Sequence, residues 1–250
     1  MSLLQADSIG IQLNGLEILS DISLKVMPKS IACIIGPSGC GKSTLFQILS
    51  GLLKPDKGKV LIDNADYTHQ PGHIGYLQQK DGLFPWKTVL SNVMLPLIIK
   101  KKPFEESKKI ASQILREFHL ESFAHYYPSE LSGGMRQRVA LLRTYLAQNQ
   151  ILLLDEPFAS IDAITRKKMQ VWLLYVQQKL QLTILMITHD IEEAIFLSDQ
   201  IIVFSALPAR IVKKHEIAHA QQRTLRDTSS TWFGQWKETI MEELHLLSKT

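Results

Sequence analysis

The chain reads Ile31-Ala32-Cys33-Ile34-Ile35 and continues directly into Gly36-Pro37-Ser38-Gly39-Cys40-Gly41-Lys42-Ser43-Thr44. The first segment is apolar without interruption, which predicts a strand that is buried on both faces. The second matches the pattern G-x-x-x-x-G-K-[ST] and leads into a predicted helix from Lys42 to Ser50. Such a glycine-rich turn points successive backbone N–H groups at phosphate oxygens, and the helix adds the positive end of its dipole. The stretch therefore predicts a phosphate-binding turn between a strand and a helix.

Further apolar runs place this turn in an α/β fold. Ile151–Leu154 and Thr183–Ile187 are continuous apolar segments of strand length, as expected for parallel strands that are covered on both faces. Ile18–Val26 and Lys59–Ile62 show looser strand character. These two segments predict a small antiparallel sheet beside the main one.

Helical spacing dominates the middle and the end of the chain. Phe104–His119 and Gly133–Gln148 show it, so residues 88–148 are predicted to form a helical insertion in a core of residues 1–87 and 149–215. Residues 216–250 form a predicted helical tail. One face of this tail is apolar and carries Trp232, Phe233, Trp236, Ile240, Leu244 and Leu247. We predict that this face packs on the chain's own core, and the alternative is a surface for a partner.

Composition excludes several classes of protein. With 250 residues, 45% hydrophobic and 21% charged, the chain is neither disordered nor collagen-like. The net charge of +4 is spread thinly and the one tight basic run is Lys100–Lys102, so we predict no nucleic-acid partner. Two cysteines form no disulfide framework, which favours a reducing compartment. No apolar run reaches the roughly 18 residues of a membrane span, and residues 1–10 do not resemble a secretory signal.

Two acidic residues follow the predicted strand Ile151–Leu154 directly. At the C-terminal end of a parallel strand, Asp155 and Glu156 project toward the crevice where ligands bind in open α/β sheets. Asp155 suits a magnesium site together with the Ser43 hydroxyl. Glu156 suits the polarisation of a water molecule that attacks the γ-phosphate, and Lys42 suits contact with the β- and γ-phosphates. The pattern predicts hydrolysis of a nucleoside triphosphate.

A second glycine turn lies in Leu131-Ser132-Gly133-Gly134-Met135-Arg136-Gln137-Arg138. Ser132 is the predicted N-cap of the following helix, whose start is a second site for phosphate. The stretch resembles the signature sequence of ABC-type ATPases, and from about Ile18 to Val212 the order and spacing of the motifs resemble that family. The resemblance implies an α/β fold: a P-loop ABC-type ATPase domain with a RecA-like core, a small antiparallel β subdomain and an inserted helical subdomain.

The resemblance also implies roles for single residues, with ATP and Mg²⁺ as the cofactors. Gln79 or the adjacent Gln78 corresponds to the Q-loop glutamine, and counting back from Leu83–Trp86 favours Gln79. Asp162 corresponds to the D-loop and His189 to the switch histidine near the γ-phosphate. The implied catalytic residues are Lys42, Glu156 and His189, and the implied magnesium residues are Ser43, Gln79 and Asp155. The implied nucleotide-binding residues are Gly36, Pro37, Ser38, Gly39, Cys40, Gly41, Lys42, Ser43, Thr44, Gln79, Ser132, Gly133, Gly134 and Asp162.

Members of this family work as pairs. Two such domains face each other head to tail, and each ATP lies between one P-loop and the other subunit's signature helix. The resemblance therefore implies a second ATPase subunit, with a homodimer as the expectation, and transmembrane permease subunits that receive the motion. It implies a solute-binding protein as an indirect partner. The implied location is peripheral, on the cytoplasmic face of the inner or plasma membrane.

One segment points to a branch of the family. Asp81-Gly82-Leu83-Phe84-Pro85-Trp86, with Val89 to Val93, is similar to importer ATPases of the nitrate, sulfonate and taurine group, which includes members for thiamine-precursor pyrimidines. The resemblance implies the ATPase subunit of a small-solute importer, with this segment facing the groove for a coupling helix. The alternative for Phe84 and Trp86 is a place in the subdomain core. Alternative functions are an exporter or lipid-transport ATPase and a non-transport ABC ATPase.

Two positions carry separate expectations. The family usually places an aromatic that stacks on adenine where this chain has Leu13, and Ile9–Leu19 contains no aromatic residue. Since such stacking is worth about 1–3 kcal/mol per base, we expect weaker binding of the adenine ring. Cys40 lies inside the phosphate turn, where the helix N-terminus is predicted to lower the pKa of its thiol and to make alkylation block hydrolysis. The alternative is a small residue that fits the turn, and Cys33 is predicted to be inert.

Overall fold

The computed structural model describes residues 3–147, 150–218 and 223–247, and all elements below belong to these ranges. The strands are β1 Leu4–Leu13, β2 Leu16–Val26, β3 Ile31–Ile35, β4 Lys57–Ile62, β5 Ala65–Asp66, β6 Gly75–Leu77, β7 Ile151–Asp155, β8 Thr183–Ile187, β9 Gln200–Phe204 and β10 Ile211–Glu216. The α-helices are α1 Lys42–Leu49, α2 Val89–Ile99, α3 Phe104–Glu117, α4 Gly133–Leu146, α5 Ala163–Leu180, α6 Ile191–Leu197 and α7 Thr231–Leu247. The predicted α/β class is confirmed.

The larger sheet positions the predicted site. Its strand order is β10-β9-β3-β8-β7-β6, and neighbouring strands are parallel except the antiparallel pair of β9 and β10. The strands predicted at residues 31–35, 151–154 and 183–187 are confirmed, and β7 extends by one residue to Asp155. The carboxyl ends of these parallel strands meet at one edge of the sheet, where a ligand crevice is expected.

Strand β3 is apolar at every position because it separates two cores. Ile31, Cys33 and Ile35 lie in the core that includes residues of helices α2 to α7. Ala32 and Ile34 lie in the other core, with helix α1 and the smaller sheet. Both faces of the strand are thus removed from water, which a period-2 pattern of apolar and polar residues would not allow.

The smaller sheet is antiparallel with the order β2-β1-β4-β5, so the prediction of a small antiparallel sheet is confirmed. The hydrophobic pattern does not reveal its central strand β1. Buried residues occur in two triplets, at positions 4–6 and 9–11, with exposed Asp7 and Ser8 between them. Ser8 has a φ angle of 48°, and the pairing with β4 shifts between Asp7 and Gly10. Such a bulge breaks the alternation by which a strand is recognised.

The stretch without strand signal contains helices α2, α3 and α4. Helix α3 ends at Glu117, close to the predicted end, and α4 ends at Leu146. Gln148, the predicted end of α4, lies outside the described residues. Helix α2 packs against both α3 and α4, and all of them contribute to the core on one face of the larger sheet. The division into residues 1–87 with 149–215, 88–148 and 216–250 stays a prediction.

The tail helix α7 packs on the core, as predicted. Phe233 and Ile240 are buried in it, and Trp232, Trp236 and Leu244 pack at its margin. The side chain of Leu247 lies outside the described residues. None of the helices in the described ranges has both the length and the apolar character that a membrane crossing requires.

Candidate active site

The phosphate-binding turn joins β3 to α1. Gly39 and Gly41 have φ angles of 74° and 103°, a region that glycine enters without steric cost. A Cβ atom on Gly41 would lie 2.8 Å from Cγ2 of Ile18 in β2, so the smaller sheet presses against the turn. Pro37, Ser38 and Thr44 belong to the same turn and the start of α1. The first N–H groups of α1 have no partner within the helix, as at any helix start, and such groups can donate hydrogen bonds to an anion.

Lys42 is held inside this turn. Its side chain is buried, and Nζ donates hydrogen bonds to the carbonyl oxygens of Gly36 at 2.9 Å and Pro37 at 2.7 Å. Phosphate oxygens accept stronger, charge-assisted hydrogen bonds than carbonyl oxygens do. The ammonium group is therefore placed to exchange one of its carbonyl partners for a phosphate oxygen.

Asp155 lies at the end of β7 with two hydroxyl partners. Its carboxylate accepts hydrogen bonds from Ser43 and from Tyr76, the latter at 3.1 Å between Oη and Oδ2. Burial raises the pKa of Asp155, and the hydrogen bonds from the two hydroxyls oppose this rise. Burial also raises the pKa of Tyr76, so its hydroxyl stays protonated and donates.

The residues around Asp155 fit a magnesium ion. Mg²⁺ takes oxygen ligands and in proteins is held by one or two carboxylates together with substrate phosphates. Asp155 and Ser43 supply a carboxylate and a hydroxyl beside the phosphate-binding turn. Sequence reasoning assigned no role to Tyr76. The one indication of a role in the sequence is its hydroxyl shortly before Gln79. An aromatic residue in a strand is otherwise typical of a protein core, so this indication is weak.

Glu156 is the meeting point of three loops. Its Oε2 accepts a hydrogen bond from Nε2 of Gln79 at 3.0 Å, and its Oε1 lies 3.6 Å from Nδ1 of His189. The backbone N–H of Glu156 donates to the carbonyl oxygen of Ile187 at the end of β8. Glu156 also has a φ angle of 46°, which is uncommon for a residue with a side chain. The structure thus brings the predicted Gln79, Glu156 and His189 together, and their roles stay predictions.

The second glycine turn is bound to the Q-loop region through α4. Arg136 pairs with Asp81 at 3.2 Å between Nε and Oδ2. Arg143 donates to the carbonyl oxygens of Asp81 and Gly82 at 3.0 Å and 2.8 Å. These contacts fasten the segment after Gln79 to the helix that starts at the signature turn. Sequence reasoning gave Arg136 and Arg143 no such role, since a basic residue on a helix is usually solvated.

Helix starts at the signature and D-loop regions have side-chain caps. The Ser132 hydroxyl accepts a hydrogen bond from the N–H of Met135 at 3.3 Å, which confirms the predicted N-cap of α4. Asp162 caps α5 in the same way, with Oδ1 accepting from the N–H of Thr165 at 3.0 Å. That hydrogen bond is the largest cause that lowers the pKa of Asp162. The contacts of Ser132 and Asp162 lie within their own helix starts, apart from the cluster around Glu156.

The two signature glycines differ in their surroundings. A Cβ atom on Gly133 would have its nearest neighbours at 3.9 Å, whereas one on Gly134 would lie 2.7 Å from Cγ2 of Thr165 and 3.6 Å from Met169. Gly134 therefore permits the close approach of α4 to α5, a packing reason that the sequence motif alone does not reveal. Gly133 has room for a side chain, so packing does not require glycine at this position.

We expect Gly134→Ala to lower the free energy of unfolding by about 1–3 kcal/mol, because the added methyl overpacks the contact with Thr165. Thr165→Ser removes the clashing methyl but keeps the hydroxyl, so the double variant should regain stability. Gly133→Ala is the matched control and should be neutral or stabilising, since alanine favours a helix. Denaturant titration measures all four chains. Equal stability of the two glycine variants would contradict this account of Gly134.

Glu193 connects the loop of His189 to α5. It is 5% exposed, and its carboxylate accepts hydrogen bonds from Oγ1 of Thr188 at 2.6 Å and Nε2 of Gln170 at 3.2 Å. Arg166 Nε lies 3.8 Å away. The Thr188 hydroxyl in turn accepts from the N–H of Asp190 at 3.1 Å. Both residues that flank His189 in the chain are therefore fixed by this buried carboxylate or its partner.

Burial raises the pKa of Glu193 above the usual range, so wild-type stability should fall as pH rises from the ordinary glutamate pKa through the raised one. Glu193→Gln does not titrate. Its stability relative to wild type should increase over this pH window by about 1.4 kcal/mol for each unit of the shift. Denaturant unfolding at pH 4 and pH 8 measures the difference, and a constant difference would contradict the prediction.

The neighbouring Glu192 is the control for Glu193. Lys237 and Lys167 hold the pKa of Glu192 below its usual range, chiefly through the hydrogen bond from Lys237. A depressed pKa contributes stability above the ordinary glutamate pKa and loses it as pH falls. Glu192→Gln should therefore lose stability relative to wild type as pH rises, the opposite sign from Glu193→Gln.

The expectation of a lowered pKa for Cys40 is wrong. The residue is buried, and desolvation raises the pKa of its thiol more than the nearby Lys42 ammonium lowers it. Cys33 is buried in β3, and burial raises the pKa of its thiol as well. We expect both thiols of the folded chain to react with a maleimide at neutral pH far more slowly than free cysteine does. Fast labelling of Cys40 in the native chain, followed by mass spectrometry, would contradict this.

Leu13 is the last residue of β1, next to the turn that leads into β2, and is 37% exposed. Leu16 on the other side of the turn is 54% exposed. The structure therefore leaves two aliphatic side chains at this tip of the smaller sheet. The expectation of weaker adenine binding stays a prediction.

The phosphate-binding turn, the carboxylate pair and His189 follow neighbouring parallel strands of the larger sheet. The inserted helices add a second glycine turn with a capped helix start. This combination defines an ATP-binding cassette. The ABC transporter family matches residues 19–159. The chain is 44% identical to the formylaminopyrimidine import ATP-binding protein ThiZ of Halalkalibacterium halodurans, over 92% of this chain and 89% of that protein. It is 38% identical to the taurine import ATP-binding protein TauB of Pseudomonas aeruginosa, over 90% and 88%.

Solved structures agree with these relatives. A dimeric ATP-binding cassette in a post-hydrolysis state, bound to ADP and Pi, is 30% identical in sequence with a TM-score of 0.73. The match covers 87% of this chain and 100% of that one. The chain belongs to the ABC transporter family. The predicted fold, with its RecA-like core, small antiparallel sheet and inserted helices, is thereby confirmed.

Proposed function

We propose that this chain is the ATP-hydrolysing subunit of an ABC importer that takes up a small solute of the nitrate, sulfonate, taurine or thiamine-precursor pyrimidine type. The observation that carries the proposal is the convergence of Gln79, Glu156 and His189 beside Asp155 and the turn that holds Lys42. The similarity to proteins named as import ATP-binding proteins supports the direction of transport.

The geometry supports a separate role for each of these residues in hydrolysis. Lys42 would bind the β- and γ-phosphates, and Ser43, Asp155 and Gln79 would hold Mg²⁺, which would neutralise charge on the phosphates. Glu156 accepts a proton from the attacking water, and Gln79 orients its carboxylate. His189, within 3.6 Å of Glu156, donates to an oxygen of the γ-phosphate as charge develops there.

We propose that the active form is a homodimer. Ser132, Gly133 and Gly134 make their contacts at the start of α4 and beside α5, not with Lys42 or Asp155. The phosphate-binding start of α4 is thus left for the nucleotide of a second copy, together with Asp162. The dimeric state of a similar cassette supports this arrangement. ATP binding would then close the pair and hydrolysis would open it.

We propose that a groove of about 520 Å³ is the docking site for the permease. Its walls come from β6, α2, α4 and the segment after the Q-loop, with Tyr76, Phe84, Pro96, Ile99 and Arg143 among the lining residues. Trp86 packs against Phe84 and is 70% exposed, which favours a partner surface over a place in the core for Trp86. Docking of transmembrane subunits here would hold the chain at the cytoplasmic face of the membrane, and a solute-binding protein would contact it only through them.

Uptake of labelled solutes tests the proposed function. Nitrate, taurine, an alkanesulfonate and a hydroxymethyl-aminopyrimidine are offered to cells that carry the wild-type chain, Glu156→Gln or the control Glu192→Gln. Loss of uptake of one solute in the Glu156→Gln strain alone supports import and names the substrate. Unchanged uptake of all four, with the protein expressed at wild-type level, would overturn this branch and favour export or a role away from transport.

A further inference from the structure

Tyr76 lies between the candidate magnesium site and the groove. Its hydroxyl donates to Oδ2 of Asp155 at 3.1 Å, and the residue also lines the groove of about 520 Å³. No other residue of the groove lining is among the predicted ligands or the described hydrogen-bond partners of Asp155. One half-buried side chain thus reaches from a carboxylate in the site to a surface that is open to a partner.

Packing against α1 and strand pairing with β7 hold the ring of Tyr76 in place. Phe46 of α1 contacts it edge to face, with ring centroids 6.0 Å apart and an interplanar angle of 83°. Strand β6 pairs Tyr76 with Leu153 of β7, two residues before Asp155. A rigid ring with a single hydroxyl directs that hydroxyl at one place, and displacement of β6 or of the groove wall changes its distance from the carboxylate.

We propose that Tyr76 is a positioning residue, which orients the Asp155 carboxylate for Mg²⁺ and transmits the occupancy of the groove to it. This inference rests on the proposed function, because it deepens the role of the same site. The groove is lined by Phe84, Leu95, Pro96 and Ile99 on its apolar side. An amphipathic helix of a membrane subunit is the partner that fits this lining. Its insertion moves the wall that contains Tyr76.

Nucleotide binding to the purified full-length chain tests the first part. Tyr76→Phe keeps the ring and removes one hydrogen bond, so the Mg²⁺ concentration for half-maximal ADP binding should rise about three- to tenfold. Binding of ADP in EDTA should not change, because Asp155 acts on the nucleotide through the metal. Tyr145→Phe, another partly buried tyrosine, is the control. An unchanged Mg²⁺ requirement in Tyr76→Phe would overturn the positioning role.

A filled groove tests the second part. Ile99 lines the groove and is 70% exposed, so Ile99→Cys can be coupled to a bulky maleimide while Cys33 and Cys40 stay buried. The label should change the Mg²⁺ requirement at least twofold when Tyr76 is present and leave it unchanged in Tyr76→Phe. An equal effect in both backgrounds, or none in either, would overturn transmission through Tyr76.

Failure of this inference and failure of the proposed function give different results. Binding of Mg²⁺ and ADP is measured without a permease, so failure to import any solute leaves this experiment intact. If the unsubstituted chain bound nucleotide without any dependence on Mg²⁺, both the proposed mechanism and the role of Tyr76 would be wrong.

Discussion

Glu156→Gln is expected to lower the turnover number for ATP hydrolysis by about 10²–10⁴-fold, the usual contribution of a general base. Glutamine has nearly the same shape and can still bond to Gln79, but it cannot accept a proton from water. Lys42, Asp155 and Ser43 are untouched, so ATP affinity should stay within a few-fold of wild type. Steady-state phosphate release measures turnover, and calorimetry in the presence of Mg²⁺ measures affinity.

Two comparisons make this prediction about Glu156 specific. Glu192→Gln, in the first turn of α6, removes a carboxylate of the same kind and should leave turnover unchanged within about twofold. His189→Ala removes a ring whose Nδ1 lies 3.6 Å from Oε1 of Glu156 and which we propose binds the γ-phosphate, so turnover should fall without loss of ATP binding. Wild-type turnover in the Glu156→Gln chain would assign the proton acceptor to another group and would remove Glu156 from the mechanism.

The parts of this fold that could be predicted are those in which one physical cause dominates the sequence. Strands β3, β7 and β8 are buried on both faces, and nothing but continuous apolar residues satisfies that environment. Strand β1 could not be predicted, because a bulge at Ser8 moves its buried residues from one register to the other. Local backbone geometry thus outweighed the period on which sequence interpretation depends.

The same distinction holds within the site. Lys42, Asp155, Glu156 and His189 follow strands that can be recognised, and parallel pairing forces their loops to the same edge. Tyr76 and Glu193 act through other side chains. Tyr76 is far in sequence from its partner Asp155, and Glu193 is buried within helix α6. Gly134 belongs to a recognised motif, yet its close contact with Thr165 depends on how α4 crosses α5. Such contacts are properties of packing and have no local pattern.

The direction of the pKa shift of Cys40 depends on two opposing effects, and the sequence reveals only one of them. The Lys42 ammonium and the backbone N–H at the start of α1 both lower the pKa of the thiol, and the sequence motif predicts the second of these effects. The same tight turn that places Cys40 there also buries it, and desolvation has the larger effect. The sequence contains the charge but not the depth of burial, so the sign of the shift could not be predicted.

Lys42→Met is the second substitution with a large expected effect, and it should lower nucleotide affinity strongly, whereas Glu156→Gln leaves affinity nearly unchanged. Methionine retains the apolar stem of a side chain that is only 7% exposed, so the turn should stay folded. What is lost is the ammonium group with its charge-assisted hydrogen bonds to phosphate. At about 1.5–3 kcal/mol each, two such bonds correspond to a loss of about 10²–10⁴-fold in ATP affinity.

The contrast between the two variants is the test of the proposed mechanism. Calorimetry should detect ATP binding to Glu156→Gln and little or none to Lys42→Met at the same concentration, and circular dichroism should show both to be folded. Lys59→Met, at an exposed lysine in β4, controls for the loss of one positive charge. If Lys42→Met bound ATP as wild type does, the two carbonyl oxygens that hold its ammonium would be its only partners. The turn would then be a structural loop and not the phosphate site, because a binding site must lose free energy when its principal charge is removed.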